Sequence, residues 1–345
     1  MTRRTHEALT GAVGVSRSRG GKRREEASGP GRQRVFLPGV MSLGVLSLGM
    51  LPLGALPVGA PSLGALSMRM AHAEGVAPTA PAQTVPAPPA PVPTRAEAAP
   101  MPGLLSHKVT YRLDLTRLKA GVLTAAGGRA TYRIRDLCRS WSVSQKLDLD
   151  VTGSDGAPRH VVFQSATLED KAGRFFRFRT LQTENDETIS ETGGEARRGR
   201  DGRIAVHLTL PDTRVLALPA QVLFPLQFAG LLLSAARKGK LHVRAEIFDG
   251  ASIDGATISY ATLGRLQPAK PDFDSPLFRG ARAVPVSVAS FSGAGDSLLP
   301  DSTYGDRLWT NGVEDRLTID FGDYVLSGQI ESLTSLRTIP CPDGR

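Results

Sequence analysis

Residues 141–149, with the sequence WSVSQKLDL, carry the pattern that decides the fold of this chain. Trp141, Val143, Leu147 and Leu149 lie in one row of alternate positions, and polar residues fill the row between them. Because successive side chains of a strand point to opposite faces, this alternation gives a strand with one apolar and one polar face. We therefore predict a β-strand here that packs one side onto a core.

The same period of two recurs along most of the chain that surrounds this strand. It is found at residues 109–115, 132–135, 176–179, 204–210 and 317–326. Turn signals separate such runs at Gly127-Gly128, Ser154-Asp155-Gly156, Lys171-Ala172-Gly173, Gly193-Gly194, Arg200-Asp201-Gly202, Asp249-Gly250 and Asn311-Gly312. Runs at this spacing predict about 12 to 14 strands. A meander of that length must curl or close to protect its edges, so we expect a mainly β fold, an antiparallel β-spiral or open barrel.

One segment, residues 219–238, has helical spacing instead. Leu226, Ala229, Leu233 and Ala236 recur at intervals of three or four. Pro225 suits the first helical position, and Gly239 lies just beyond the end. We predict one α-helix, central to the barrel or capping its mouth. It either completes the core or gates a lipid-sized cavity.

The proline-containing segment 267–283 has little pattern and is expected to be a long surface loop. It either connects two strands or covers a cavity as a lid.

The first 103 residues differ in composition from the rest. They begin with a basic stretch, which is followed by the uncharged apolar segment 35–66 and then by a small-x-small sequence that ends at Ala73. This is the order of a secretory signal peptide. We predict residues 1–73 as a signal peptide with a long basic n-region and cleavage after Ala73. An uncleaved membrane anchor is the alternative. Residues 74–103 are rich in Pro and Ala and are predicted to be a linker, and residues 104–345 form the β domain.

Charge and compartment follow from this division. The formal net charge of the chain is +9. Most of it belongs to the predicted leader, because residues 1–73 hold ten Lys or Arg against three acids. The remainder is nearly neutral and has only short basic runs, which argues against nucleic-acid binding. Export predicts an oxidising compartment, where Cys138 and Cys341 can join and close most of the domain into one loop.

No pattern of catalytic or metal-binding residues stands out, and we assign no catalytic, cofactor-binding or metal-binding residue. The histidines after the leader, at 107, 160, 207 and 242, lack metal-ligand spacing and are expected to be exposed or half-buried. The acidic runs 184–187 and 314–315 adjoin predicted turns and are expected to be solvated. A nucleophilic role for Cys138 is less consistent with export than a disulfide.

An ordered set of short motifs resembles the envelope integrity protein B family of alphaproteobacteria. The set comprises Tyr111-Arg112-Leu113, Cys138 with Trp141, Glu169-Asp170 with Phe176-Arg177-Phe178, Phe224-Pro225, Ile247-Phe248-Asp249-Gly250, Thr310-Asn311-Gly312-Val313, Asp320-Phe321-Gly322-Asp323-Tyr324 and Cys341-Pro342. The resemblance spans about residues 104–342. It implies a periplasmic β-spiral around a helix, a disulfide between Cys138 and Cys341, and a role in envelope homeostasis without catalysis.

Three functions remain open from the sequence. The first is a non-enzymatic protein that supports envelope integrity through a concave β surface for a ligand or protein partner. The second is a lipid or lipoprotein carrier with an acyl-chain cavity, since the implied spiral resembles bacterial lipoprotein carriers in shape. The third is an unrecognised hydrolase. The expected partner is an unidentified envelope protein, a lipid or a lipoprotein, together with peripheral membrane contact and without a cofactor.

Overall fold

Fourteen β-strands and one α-helix make up the regular structure of a computed structural model, which describes residues 103–119, 121, 123–292, 299–339 and 341. The predicted leader and nearly all of the predicted linker lie outside the described residues. The first eight strands are β1 (His107–Leu118), β2 (Leu123–Asp136), β3 (Ser140–Gly153), β4 (Pro158–Asp170), β5 (Phe175–Glu184), β6 (Glu187–Arg198), β7 (Ile204–Leu210) and β8 (Arg214–Leu218). The helix α1 (Pro225–Arg237) and the strands β9 (His242–Ile247), β10 (Thr257–Leu263), β11 (Ala283–Ser292), β12 (Ser302–Trp309), β13 (Glu314–Asp320) and β14 (Tyr324–Ser335) follow.

All fourteen strands belong to one open sheet with the order β8-β7-β6-β5-β4-β3-β2-β1-β14-β13-β12-β11-β10-β9. Every neighbouring pair is antiparallel. The first and last strands pair in the middle of the sheet, and the two edge strands, β8 and β9, are consecutive in the chain. The prediction of a mainly antiparallel open sheet with one helix is confirmed.

The alternating sequence places the core on one face of the sheet. In β3, Trp141, Val143, Leu147 and Leu149 are buried and their polar neighbours are half-buried or exposed. The inward row of β3 lies beside the inward rows of β2 and β4, since Ile134 is opposite Val143 and Phe163 is opposite Leu147. Period two therefore translates directly into a continuous apolar face.

The edge strand β9 is covered by the segment that leads into the helix. Leu223 forms a parallel bridge with Ile247. Its backbone N–H donates to the carbonyl oxygen of Glu246 at 2.8 Å, and its own carbonyl accepts from the N–H of Phe248 at 2.9 Å. This short pairing satisfies backbone groups that an uncovered edge would leave open.

Two predicted turns are wrong. Gly127-Gly128 lies inside β2, and Gly193-Gly194 lies inside β6. The glycines serve close approach between strands rather than chain reversal. A Cβ on Gly128 would lie 2.0 Å from the carbonyl oxygen of Asp148, and one on Gly194 would lie 2.3 Å from that of His207.

The segment 267–283 crosses the outer face of the sheet, as the prediction of a surface loop requires. Apart from a bridge between Gln267 and Ala283, it contains a short 3-10 turn at Pro276–Phe278. Phe278 packs on Trp309 with ring centroids 4.7 Å apart, in a small cluster with Ala283 and Val313. The loop thus covers apolar residues on the convex side.

Candidate functional site

The helix α1 occupies the concave side of the sheet, where a binding surface is expected. Eight of its thirteen residues are buried: Leu226, Phe228, Ala229, Gly230, Leu232, Leu233, Ala235 and Ala236. They share one hydrophobic cluster with inward residues of β1–β4 and β9–β14. A helix that is apolar on most sides requires burial on most sides. The concave face around α1 is therefore filled by the protein's own helix, which agrees with the prediction of a central helix.

The first turn of α1 is anchored by a carboxylate from the sheet. Glu169 of β4 accepts hydrogen bonds from the backbone N–H groups of Leu226 and Gln227, at 2.9 and 3.0 Å. The first turn carries the positive end of the helix dipole, so a carboxylate is well placed there. Burial raises the pKa of Glu169 to about 8, and the two N–H donors act in the opposite direction. Glu169 ties α1 to β4. The sequence showed it only as part of a family motif, because its partners lie 57 and 58 residues away.

A cluster of four phenylalanines joins the arm β5–β8 to the segments around the helix. Phe176 stacks on Phe224 at 5.2 Å, and Phe178 meets the edge of Phe248 at 5.3 Å. All four side chains are buried. Thr192 adds a hydrogen bond from its hydroxyl to the carbonyl oxygen of Gly250 at 2.6 Å. These contacts hold the outer arm against the residues that precede α1 and follow β9.

A pair of acids lies in the interior at the start of β13. Asp306 and Glu314 are buried and interact with each other. Burial raises the pKa of Asp306 to about 8 and raises that of Glu314 well above its ordinary value. Tyr111 donates its hydroxyl to the backbone carbonyl of Glu314 at 2.9 Å, and burial raises the pKa of its phenol as well. Two carboxyls in this setting do not ionise together, and burial favours the neutral form of each.

The expectation that Glu314 and Asp315 are solvated is therefore wrong. Asp315 is buried too, and it accepts two hydrogen bonds from the guanidinium of Arg307 at 2.7 and 2.5 Å. A bulge in the pairing of β12 with β13, next to Arg316 at φ 57°, moves the strand away from simple alternation. Neighbouring acids consequently lie on buried sites that a turn-based interpretation misses.

The four histidines within the described residues divide into one buried and three accessible side chains. His160, His207 and His242 are half-buried or exposed, as expected. The expectation fails for His107, which is 1% exposed. Its Nδ1 lies 2.8 Å from the carbonyl oxygen of Leu105, and burial lowers its pKa. Among the described residues, no group of His, Cys, Asp and Glu has the arrangement of a metal site.

The two cysteines are joined at the end of the β2–β3 hairpin. Cys138 and Cys341 form a disulfide with their Cα atoms 5.2 Å apart. Cys138 has φ 73° and donates its N–H to the carboxylate of Asp136 at 2.8 Å. Lys171 donates to the same carboxylate at 2.6 Å and lies 4.4 Å from the ring of Trp141. The link fastens the chain's C-terminal segment to the strand pair that holds much of the core.

Several cavities are lined by described residues. One of 620 Å³ lies at the C-terminal end of α1 beside Arg237, Leu241 and Arg265. One of 420 Å³ lies under the segment 267–283 on the outer face, and one of 180 Å³ lies between Arg133 and Ser144 on β2 and β3. The acid pair in the interior lines none of these three.

The described helices include no segment that is both long and apolar enough to cross a bilayer.

Comparison with known proteins gives consistent results. The family model described as EipB-like matches residues 98–337. The cell envelope integrity protein EipB of Brucella abortus (strain 2308) is 26% identical over 245 residues, which cover 69% of this chain and 86% of that protein. The crystal structure of a β-barrel-like protein from Brucella abortus, of a domain of unknown function, matches with a TM-score of 0.63. That match has 24% identity and covers 68% of this chain and 100% of the other, so it concerns the fold.

Proposed function

The chain belongs to the EipB-like family, as its motifs predicted, and on that premise we propose that it is a periplasmic protein that supports cell-envelope integrity without catalysis. The name of the relative from Brucella abortus, a cell envelope integrity protein, supports the role and the location. The protein acts as a scaffold whose partner is another envelope component.

The packing of α1 is the observation that carries the scaffold form of this proposal. A carrier for acyl chains needs a dry cavity lined by apolar side chains. Here the apolar inward face of the sheet is in contact with α1, and Phe228 and Leu232 are fully buried between them. A ligand on the concave face must first displace the helix, whose first turn is held by Glu169. A partner that binds an outer surface of the sheet does not have to displace the helix.

The buried carboxyls support the non-enzymatic part. Glu169 is engaged by the helix, and Asp306 and Glu314 face each other inside the core. A catalytic acid or base must come within hydrogen-bond reach of a substrate. These groups are instead in contact with the protein's own interior, where they act on stability.

Deletion of the gene tests the envelope role. We expect the deletion strain to survive poorly on medium containing a membrane-active detergent, and we expect the wild-type gene to restore survival. Alleles with Asp306→Asn or Glu314→Gln should restore it too, because these changes keep the size of groups that are neutral in the folded state. Full survival of the deletion strain would contradict the envelope role. Loss of rescue by both alleles at normal protein level would favour a hydrolase.

The carrier remains the second candidate, because the inward face of the sheet is apolar along most of its strands. Native mass spectrometry of protein purified from its own cells, with lipid extraction in parallel, separates the two. The scaffold predicts the bare protein mass. Stoichiometric lipid would favour the carrier, with α1 as the element that moves.

A further inference from the structure

The end of the domain at the C-terminus of α1 is strongly basic. Arg237, Lys238, Lys240, Arg265 and Arg282 are all exposed there. The chain segments that meet at this end, 236–241, 264–266 and residue 282, contain no Asp or Glu. The charges at this end are thus all positive. On the outer face of β5 and β6, by contrast, arginines pair with glutamates. The surface potential is therefore positive at this end.

The cations surround a cavity instead of being scattered. Arg237, Arg265 and Arg282 line the cavity of 620 Å³ together with Leu241 and Leu266. Arg282 donates to the carbonyl oxygen of Leu266 at 2.6 Å, which fixes its position at the rim. Within the described part of the chain, Arg237 and Arg265 form no ion pair. Two guanidinium groups thus remain available to an external anion.

An exposed leucine stands among these charges. Leu241 is 52% exposed. Its position is fixed, because the chain turns away from α1 at Gly239, with φ 69°, and because the carbonyl oxygen of Leu241 accepts from the N–H of Leu263 at 2.8 Å. A free anion or an acidic peptide loop makes little use of an apolar tip between arginines. The boundary between lipid head groups and acyl chains matches both features.

We propose that this basic end binds the phosphate-bearing surface of an anionic phospholipid bilayer. Arg237 and Arg265 contact head-group phosphates, Lys238 and Lys240 add long-range attraction, and Leu241 inserts at the level of the first acyl carbons. The contact is peripheral and reversible, and salt weakens it. It can be measured whether or not the envelope role holds.

Co-sedimentation with vesicles tests the site. The purified protein is mixed with vesicles of phosphatidylglycerol and phosphatidylcholine in equal amounts, and separately with phosphatidylcholine alone. We expect binding to the first, little binding to the second, and loss of binding at high salt. Each neutralised cation near such a surface weakens partitioning about fivefold. Arg237→Ser with Arg265→Ser should therefore weaken it about 25-fold, and Leu241→Ser should weaken it without changing the salt dependence.

A control variant with the same change in net charge is Arg177→Ser with Arg179→Ser. These arginines lie on β5 and pair with Glu195 and Glu191. We expect the control to bind vesicles nearly as the wild type does. Equal weakening by both double variants would overturn the proposal, because net charge alone would then explain binding. Absence of binding to anionic vesicles would overturn the proposal as well. This holds even if inorganic phosphate raises the melting temperature of the protein, because that result would indicate a site for a free anion instead of a bilayer.

Discussion

Truncation of Phe228 in α1 measures how much the helix contributes to the core. The side chain is 0% exposed and belongs to the main hydrophobic cluster. Replacement of a fully buried Phe by Ala costs about 3–5 kcal/mol, from lost burial and from the cavity that remains. A folded domain is stable by about 5–15 kcal/mol, so the loss is a large part of the total. We expect Phe228→Ala to lower the melting temperature by about 6–20 °C, at about 2–4 °C per kcal/mol for a domain of this size.

Urea unfolding followed by tryptophan fluorescence is a suitable assay, since Trp141 and Trp309 are both buried. The midpoint should fall while the slope with urea stays the same, which indicates a change of stability and not of the unfolded state. Tyr260→Ala is the matched control, because it also truncates an aromatic ring but at a site that is 49% exposed. Its loss should stay below about 1.5 kcal/mol, the contribution of its contact with Phe291. Equal losses for the two variants would refute a helix-filled core.

Three further predictions concern the covalent link, the interior acids and the helix anchor. Cys138→Ser or Cys341→Ser should lower stability by about 2–5 kcal/mol and increase protease sensitivity, and identical melting with and without reductant would rule out a stabilising disulfide. The raised pKa values of Glu169, Asp306 and Glu314 mean that each carboxyl binds its proton more tightly when folded, so the contribution of these three groups to stability should be fully present below about pH 4 and be lost as the pH rises towards 8. Asp306→Asn should flatten this decline in thermal scans at pH 5 and 8, and a slope equal to that of the wild type would contradict the assignment. Glu169→Ala should cost about 2–4 kcal/mol, because two N–H groups of α1 lose a buried acceptor, and a cost below about 0.5 kcal/mol in urea unfolding would contradict the anchor.

The elements of the fold were accessible from local sequence because their signals are local. Apolar and polar residues alternate in β3 because one face of the strand packs on the core. Any segment with that alternation is stabilised in the same way by burying its apolar side chains in a sheet. The limits of α1 follow from Pro225 at its start and Gly239 past its end, which restrict the backbone regardless of tertiary contacts. The helix begins at Pro225, the first helical position that the sequence predicts, and Leu223 just before it pairs with Ile247 of β9.

The parts that sequence reasoning missed depend on contacts between distant residues. The pairs that contain Gly128 and Gly194 resemble turns in the sequence. Glycine is needed at these two positions, however, because a carbonyl oxygen of the neighbouring strand lies close to each. Glu314 is buried because of a bulge opposite β12, and Glu169 gains its role from the first turn of a helix more than fifty residues later. The sequence alone contains no local signal for either arrangement. The family motifs nevertheless included Glu169, which is a weak indication of its importance.

Hydrogen exchange of the backbone amides of α1 tests the central claim most directly. The account has α1 as a fixed part of the core, anchored by Glu169 and surrounded by inward residues of the sheet. It predicts that amides of residues 229–236 exchange as slowly as those in the middle of β2 and β3, through global unfolding. Exchange of α1 that is many times faster than that of these strands, through local opening, would contradict the filled core and identify the helix as a movable gate.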